Sequence, residues 1–290
     1  MVDFRLLTKL LKCDKMTTMK RKLILTTVFI CICVPLSLFG QDFDIEGTTL
    51  LGYYGNAGHV IIPAGITSIG YYAFDGCASM TSVTIPAGVL SIGESAFEGC
   101  VNLTSVTIPA GVLSVGYGAF ADCKSLASVT MPSSVINIGH YAFSGCNSLK
   151  SITIPSGVTY IGEGVFEECT NLTSVTLPSS AVFIGDYAFA GCLNLKSINI
   201  PSNVTYIGYY AFEGCTGLTS VNFPSSLLYI GESAFEECAS LTSVTIPSSV
   251  IYIGDYAFEE CYSLRTVTVS RGTTIGSKAF PSSARITYSD

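Results

Sequence analysis

Apolar and polar residues follow one another in a unit of 23 residues that recurs nine times along the chain. In one such unit, Leu103, Val106 and Ile108 have the spacing of inward-facing strand residues, and Ser105 and Thr107 between them point outward. A repeat of about 20 to 29 residues is typical of solenoids, in which each coil buries its apolar side against its neighbours. The pattern therefore predicts one short strand per unit and one continuous stack of coils.

The rest of the unit predicts how each coil turns. Pro109 should end the strand, because proline has no backbone N–H for a ladder bond. Val115 re-enters the core, and Gly116 after it is expected to take positive φ at the next bend. Phe120 and Cys123 follow at helical spacing, which predicts a short helical or 3₁₀ turn on the outer side, with phenylalanine at the centre of the coil.

Two residue types recur once in every unit and are predicted to be structural. The phenylalanines are Phe74, Phe97, Phe120, Phe143, Phe166, Phe189, Phe212, Phe235 and Phe258. The cysteines lie three residues later, at Cys77, Cys100, Cys123, Cys146, Cys169, Cys192, Cys215, Cys238 and Cys261. Since every cysteine occupies the same slot, we interpret them as buried small residues with a weak S–H donor rather than as a disulfide framework. Their spacing also disfavours a zinc site.

The joint Pro, Ile-Gly, Ala-Phe and Cys columns resemble the BspA-like class of leucine-rich repeats over roughly residues 58–280. The resemblance implies an α/β-type repeat solenoid: a right-handed leucine-rich-repeat coil with a parallel sheet on its concave face, short turns or 3₁₀ or helical segments outside, and nine full repeats plus caps. It also implies an exported or surface-attached protein of bacteria or protozoa. Such proteins act in adhesion to host matrix proteins, host cells or other microbes.

Departures from the repeat predict the domain organisation. We expect an N-terminal extension and signal peptide over 1–40, with Met19 as a possible true start, and an N-terminal cap over 41–62. The leucine-rich-repeat solenoid covers 63–269, and 270–290 forms a degenerate C-terminal capping repeat. No linker interrupts the register, so the repeats should form one domain.

The basic residues 20–22 precede an apolar run over 23–40, which is the form of a secretory signal and predicts a secreted or cell-surface protein. An uncleaved membrane anchor is the alternative, because the run approaches the length that spans a bilayer. A lipoprotein would need a small residue before Cys31 or Cys33, and both follow isoleucine.

The charge balance limits the classes of partner. Residues 41–290 carry 7 Lys plus Arg against 19 Asp plus Glu, a net charge of −12. An acidic surface repels phosphate backbones, so nucleic-acid binding is disfavoured and a basic or neutral protein partner is favoured.

Few residues are candidates for catalysis or for holding a cofactor. The chain has two histidines, His59 in the cap and His140 in a variable column, and we predict no enzyme activity, cofactor or metal. Acidic pairs such as Glu167 and Glu168 precede several cysteines and read as a solvated edge, with weak calcium binding as the alternative.

One column changes its chemistry midway and supplies the candidate binding residues. Before the Ile-Gly step it holds serine or asparagine in the first coils, then Tyr160, Phe183, Tyr206, Tyr229 and Tyr252. A second aromatic column lies four residues after the first and contains Tyr141, Tyr187, Tyr210 and Tyr256. Exposed tyrosines are favoured at protein interfaces and on sugar-stacking surfaces. A purely structural role, with aromatic rings packed between coils, is the alternative.

These observations favour a non-catalytic adhesin or protein-binding scaffold, with a host matrix protein or another microbial surface as partner. A carbohydrate-binding or envelope-scaffolding module is the alternative. Ring faces that line a groove would favour a glycan, and rings in a broad patch would favour a protein.

Overall fold

The computed structural model describes residues 42–289, so the predicted signal segment lies outside the described residues. These residues form a solenoid in which successive coils add parallel strands to two strips, and the predicted repeat solenoid is confirmed. Hydrogen bonding divides one strip into four short sheets and the other into two sheets of six strands. The outer segment of each coil is a run of hydrogen-bonded turns and not a helix. Over residues 42–289, no helix has the length and apolar composition needed to cross a membrane.

The predicted strand is present in every coil, and its middle residue points inward while the flanking serine and threonine point to solvent. We call the strip that these strands form the serine–threonine face. Its strands are β3 (His59–Ile61), β5 (Ser82–Thr84), β7 (Ser105–Thr107), β9 (Ser128–Thr130), β11 (Ser151–Thr153), β13 (Ser174–Thr176), β15 (Ser197–Asn199), β17 (Ser220–Asn222), β19 (Ser243–Thr245) and β21 (Thr266–Ser270).

A second strand of two residues, which the sequence analysis did not predict, lies at each Ile-Gly step. Its isoleucine or valine is buried and the residue before it faces outward. We call this strip the ladder face. Its strands are β4 (Ser68–Ile69), β6 (Ser91–Ile92), β8 (Ser114–Val115), β10 (Asn137–Ile138), β12 (Tyr160–Ile161), β14 (Phe183–Ile184), β16 (Tyr206–Ile207), β18 (Tyr229–Ile230), β20 (Tyr252–Ile253) and β22 (Thr274–Ile275).

The glycine after each of these strands is needed for a different reason from the one expected. Gly93, Gly116 and Gly139 do not have positive φ, so the predicted role of this column at a left-handed bend is wrong. A methyl group on any of the three would lie less than 3.0 Å from the backbone of the preceding coil. Glycine is required here because the coils approach each other most closely at this point.

The centre of the solenoid is a stack of phenylalanine rings. All nine have no exposed surface, and neighbouring rings in the column lie 4.8 to 5.9 Å apart between centroids. From Cys100 to Cys261, each cysteine Sγ donates a hydrogen bond to the carbonyl oxygen of the phenylalanine in the preceding coil, at 3.1 to 3.3 Å. Each of these carbonyl groups also accepts a hydrogen bond from the backbone N–H of the cysteine three residues later, so the thiol adds a second bond and joins one coil to the next.

The two ends of the stack are covered differently. At the start, β1 (Phe43–Glu46) and β2 (Thr49–Tyr53) form an antiparallel pair, and β2 pairs in parallel with β4. Tyr53 is buried and extends the phenylalanine stack, with its ring centroid 5.5 Å from that of Phe74. At the other end, β23 (Arg285–Ser289) pairs with β21 and closes the serine–threonine face.

The ladder face is interrupted between β10 and β12. The residue before each phenylalanine is alanine in all the other coils from Ala73 to Ala257. In the coil that contains β12, this residue is Val165. The hydrogen bond from Phe143 N to Val165 O is 3.1 Å long, against 2.7 to 2.9 Å for its equivalents. The Phe143 and Phe166 rings have the widest spacing in the stack, 5.9 Å. We infer that the two additional methyl carbons of Val165 hold the coils apart.

The opening leaves two backbone amides without partners. The amides of Val182 and Gly185 donate to the preceding coil at 2.9 and 2.8 Å, whereas Thr159 and Gly162, one coil earlier, make no such bond. Consistently, a methyl carbon added to Gly162 would lie 3.4 Å from the nearest atom of the preceding coil, the Gly139 carbonyl oxygen. The equivalent distance for Gly93, Gly116 and Gly139 is less than 3.0 Å. The gap coincides with the change from Asn137 to Tyr160 on the outer surface.

The buried thiols predict how the protein responds to alkali. Burial raises the pKa of Cys169 and of Cys215 from 9.0 to about 12. The folded state therefore retains protons that the unfolded chain releases above about pH 9. As the pH rises from about 9 to about 12, each such thiol should lower the free energy of unfolding by up to about 1.4 kcal/mol per pH unit. We expect native cysteines to resist alkylation near neutral pH, and thiolate absorbance to appear only as circular dichroism reports unfolding. Thiolate formation in the folded protein would contradict this assignment.

The gap at Val165 predicts a local difference in hydrogen exchange. The amides of Thr159 and Gly162 should exchange at least about tenfold faster than those of Val182 and Gly185, because an amide without a partner has little protection. In Val165→Ala the coils should close and both amides should become protected, as measured by NMR. Equal exchange rates in the wild-type protein, or no change in the variant, would show that Val165 does not cause the gap.

Candidate functional site

The aromatic ladder consists of Tyr160, Phe183, Tyr206, Tyr229 and Tyr252, one residue from each strand of the ladder face from β12 to β20. The parallel register places each residue directly beside the next. The first three centroid separations are 6.4 to 6.5 Å, and those rings are tilted by 48° to 57° to one another. Four of the five side chains are 39 to 44% exposed, and Tyr206 is half-buried. The ladder is an aromatic ridge supported by a hydrogen-bonded sheet.

Carboxylates accompany the ladder. The residue after each glycine, three positions beyond the ladder residue, is Glu163, Asp186, Glu232 or Asp255 in four of these coils. Burial raises the pKa of Tyr160, and the carboxylates of Asp186 and Glu163 raise it further. Burial is also the main reason that the pKa of Tyr206 rises to about 12. The Tyr160 and Tyr206 phenols are therefore uncharged hydrogen-bond donors at neutral pH, next to a row of acidic residues.

The same face has a different form in the N-terminal coils. Ser68, Ser91 and Ser114 occupy the ladder positions, and Ser68 Oγ lies 3.1 Å from Ser91 Oγ. Their small side chains leave a shallow trough of about 530 Å³, bordered by Tyr71 and Tyr117. The ladder face thus changes from a shallow trough with serines at the ladder positions to an aromatic ridge at the gap beside Val165.

The second aromatic column is engaged with its own chain. Tyr141, Tyr187, Tyr210 and Tyr256 all have φ of 55° to 57°, a left-handed conformation that costs about 1 to 3 kcal/mol for a residue other than glycine. The Tyr187 and Tyr210 rings stack at 4.9 Å. Tyr256 lies under the Lys278 ammonium group, at 5.5 Å.

Tyr141 also contacts its own chain, because its hydroxyl group donates to Glu163 Oε1 at 2.6 Å and its ring covers Gly164. Burial and this bond raise the pKa of Tyr141. No ring contact joins this column to the ladder within the part of the chain that the structure describes.

The polar contact at the edge of the ladder involves His140. His140 Nδ1 lies 3.3 Å from Glu163 Oε2, and the His140 ring lies 5.9 Å from that of Tyr160, at the edge of the ladder. Over residues 42–289, no group of three or more histidine, cysteine or acidic side chains could hold a metal ion.

The sequence analysis overlooked a pair of asparagines on the serine–threonine face. Asn199 and Asn222 replace the threonine found at this position in the other coils from Thr84 to Thr268, and they border a cleft of about 400 Å³. The signal was present in the sequence, since two adjacent coils depart from an otherwise constant column.

Comparison with known proteins agrees with this architecture. The family model described as "BspA type Leucine rich repeat region" matches residues 53–172 and 182–289. A leucine-rich repeat protein from Bacteroides ovatus is similar in structure, with a TM-score of 0.77 and 33% identity over 86% of this chain and 71% of that chain. The comparison with curated proteins found no match.

Two further solved structures share the repeat type. A leucine rich cell surface protein from Faecalibacterium prausnitzii is 29% identical over 86% of this chain and 92% of its own, with a TM-score of 0.48. A leucine-rich repeat protein from T. pallidum is 24% identical over 80% and 90% of the two chains, with a TM-score of 0.47.

The family consists of repeat proteins that are generally non-catalytic and serve as protein-binding scaffolds, in agreement with the exposed ridge and with the uniform structural core. The family model covers most of the chain, and the repeat columns, the stacked coils and the similarity to the Bacteroides ovatus protein point the same way. The chain belongs to the BspA-type leucine-rich-repeat family.

Proposed function

We propose that the protein is an exported, cell-surface or secreted adhesin that binds a protein partner through the aromatic ladder. The observation that carries the proposal is the unbroken row of five aromatic rings on consecutive strands, four of them exposed and Tyr206 half-buried. The signal-like segment before residue 41 supports export. The partner would be a host matrix protein or a protein on another microbial surface.

The ladder has the physical properties of an interface. Tyrosine offers a large and rigid contact area with a polar tip, and such residues commonly dominate the free energy of protein association. The sheet beneath the ladder keeps the rings in a constant register, so little side-chain and backbone freedom is lost when a partner binds. A row of exposed aromatic side chains costs solubility, whereas the serines at the same positions in the first coils show that the fold does not require it.

The charge beside the ladder restricts the partner. Glu163, Asp186 and Glu232 follow the ridge, and none of the three forms an ion pair with a lysine or arginine within residues 42–289. A partner segment with lysine or arginine side chains would meet both the carboxylates and the aromatic ring faces, which attract cations. The proposed partner surface is therefore neutral or basic.

The arrangement of the rings favours a protein over a glycan at this site. The first four rings of the ladder are tilted by 48° to 57° to their neighbours, so they do not form one flat stacking platform. The two clefts described above have linings that include none of the five ladder residues. This is the geometry of a broad ridge, which matches the protein-binding alternative.

The ladder can be tested by a triple variant. Tyr206→Ser, Tyr229→Ser and Tyr252→Ser together introduce the residue that the first coils have at this position. If a few rings each contribute about 1 to 2 kcal/mol, attachment should weaken at least about tenfold. Attachment of the full chain to a panel of purified matrix proteins and to cultured epithelial cells would be measured, with the melting temperature recorded in parallel.

A matched control is available on the same face. Leu90, Leu113 and Ile136 are about 50% exposed in the N-terminal coils, and their replacement by serine removes a similar apolar surface outside the ladder. This control should attach normally. Normal attachment by a folded ladder variant would reject the ladder as the binding site, whereas loss of folding would assign the rings to stability.

A further inference from the structure

The serine–threonine face contains one feature that the proposed adhesion does not use. Asn199 and Asn222 are direct register partners on β15 and β17, and both side chains face outward. Adjacent strands lie about 4.8 Å apart, so the two carboxamide groups are neighbours. Neither carboxamide has a hydrogen-bond partner among the residues that the structure describes.

The carboxamides border a cleft with an apolar floor. Its volume is about 400 Å³, within the range of about 300 to 1,000 Å³ that is usual for small-molecule sites. Besides the two asparagines, the lining consists of Leu177, Ser179, Ile200, Pro201, Ser202, Phe223 and Pro224.

One floor residue is unusual for its column. Phe223 replaces the aliphatic residue that the other coils have before their proline, or before Ser270 in the last coil. Its ring packs edge-on against Phe235, with centroids 5.5 Å apart and an interplanar angle of 83°. The departures at positions 199, 222 and 223 thus coincide in one cleft.

The absence of charge in the lining of the cleft restricts the class of ligand that it can bind. None of the lining residues carries a charge, although the protein as a whole is acidic. A charged ligand would lose hydration without gaining a counter-charge, so a neutral ligand is favoured. Each carboxamide offers one acceptor and two donors, and sugar hydroxyl groups both donate and accept. The apolar floor suits the C–H face of a sugar ring.

We propose that this cleft binds a short segment of a neutral oligosaccharide. The carboxamides of Asn199 and Asn222 hold neighbouring hydroxyl groups of the sugar. The prolines and Phe223 contact its apolar face. This site is separate from the ladder, because it lies on the other strip of sheet, and it does not depend on the proposed protein partner.

A peptide is the other neutral ligand to consider. Addition of a peptide strand requires an open sheet edge. β15 and β17 form a two-stranded sheet, but the strands of the neighbouring coils, β13 and β19, lie beside its two edges and leave no room for an added strand. A peptide would have to cross the face of the sheet and would leave much of its backbone without partners. The geometry therefore points to the sugar.

The test uses the full chain and four neutral hexasaccharides: cellohexaose, maltohexaose, mannohexaose and xylohexaose. A hyaluronan hexasaccharide and a neutral Gly-Ser-Pro peptide serve as charged and peptide comparisons. Ligand-observed NMR and calorimetry should detect at least one neutral hexasaccharide with a Kd of about 1 mM or tighter. Asn199→Thr with Asn222→Thr should weaken that binding at least about tenfold, because both carboxamide contacts are lost.

The variant restores the residue of the other coils, so it should fold normally, as circular dichroism would verify. Thr84→Val with Thr107→Val removes two outward hydroxyl groups elsewhere on the same face and should leave sugar binding unchanged. The ladder triple variant should also leave it unchanged, which separates the two sites. The proposal fails if no neutral hexasaccharide binds at about 10 mM, if the asparagine variant binds equally well, or if only the charged sugar or the peptide binds.

Discussion

The close contact between successive coils is the constraint on which the whole structure depends. Each coil is too small to bury its apolar residues alone, so its stability comes from the coil on either side. The stacked phenylalanine rings supply the apolar part of that contact, and the thiol-to-carbonyl hydrogen bonds supply a polar part. At the ladder face the backbones are so close that only glycine fits, as at Gly116.

Because the coils are so tightly stacked, a small change in side-chain volume has a visible effect. Val165 in a column of alanines separates two coils and leaves Thr159 and Gly162 without partners. The aromatic ladder begins with the coil that follows this gap. The outer surface is under less constraint, since the same strand position accepts Ser91 or Tyr229 without a change of register. Such a scaffold can vary its outward residues while the inward ones stay constant.

The two outward strips serve different chemistry. The ladder face combines aromatic rings with carboxylates, which suits a neutral or basic protein surface. From β5 to β21 the outward residues of the serine–threonine face are serine or threonine, except where Asn199 and Asn222 meet above an uncharged cleft. Together, the two proposals let one solenoid engage a protein and a neutral glycan on separate strips.

The sequence by itself determined the repeat length, the solenoid, the positions of the inward columns such as Phe120 and Cys123, and the row of aromatic residues from Tyr160 to Tyr252. These follow from a pattern of inward and outward residues within one coil, which is a local property. Only the tertiary structure decided the second strand at the Ile-Gly step, the steric reason for Gly116, the gap beside Val165 and the cleft below Asn199. Each of these depends on the distance between coils, which is set where side chains and backbone from different repeats meet. A pattern of residue types within one repeat does not contain that distance.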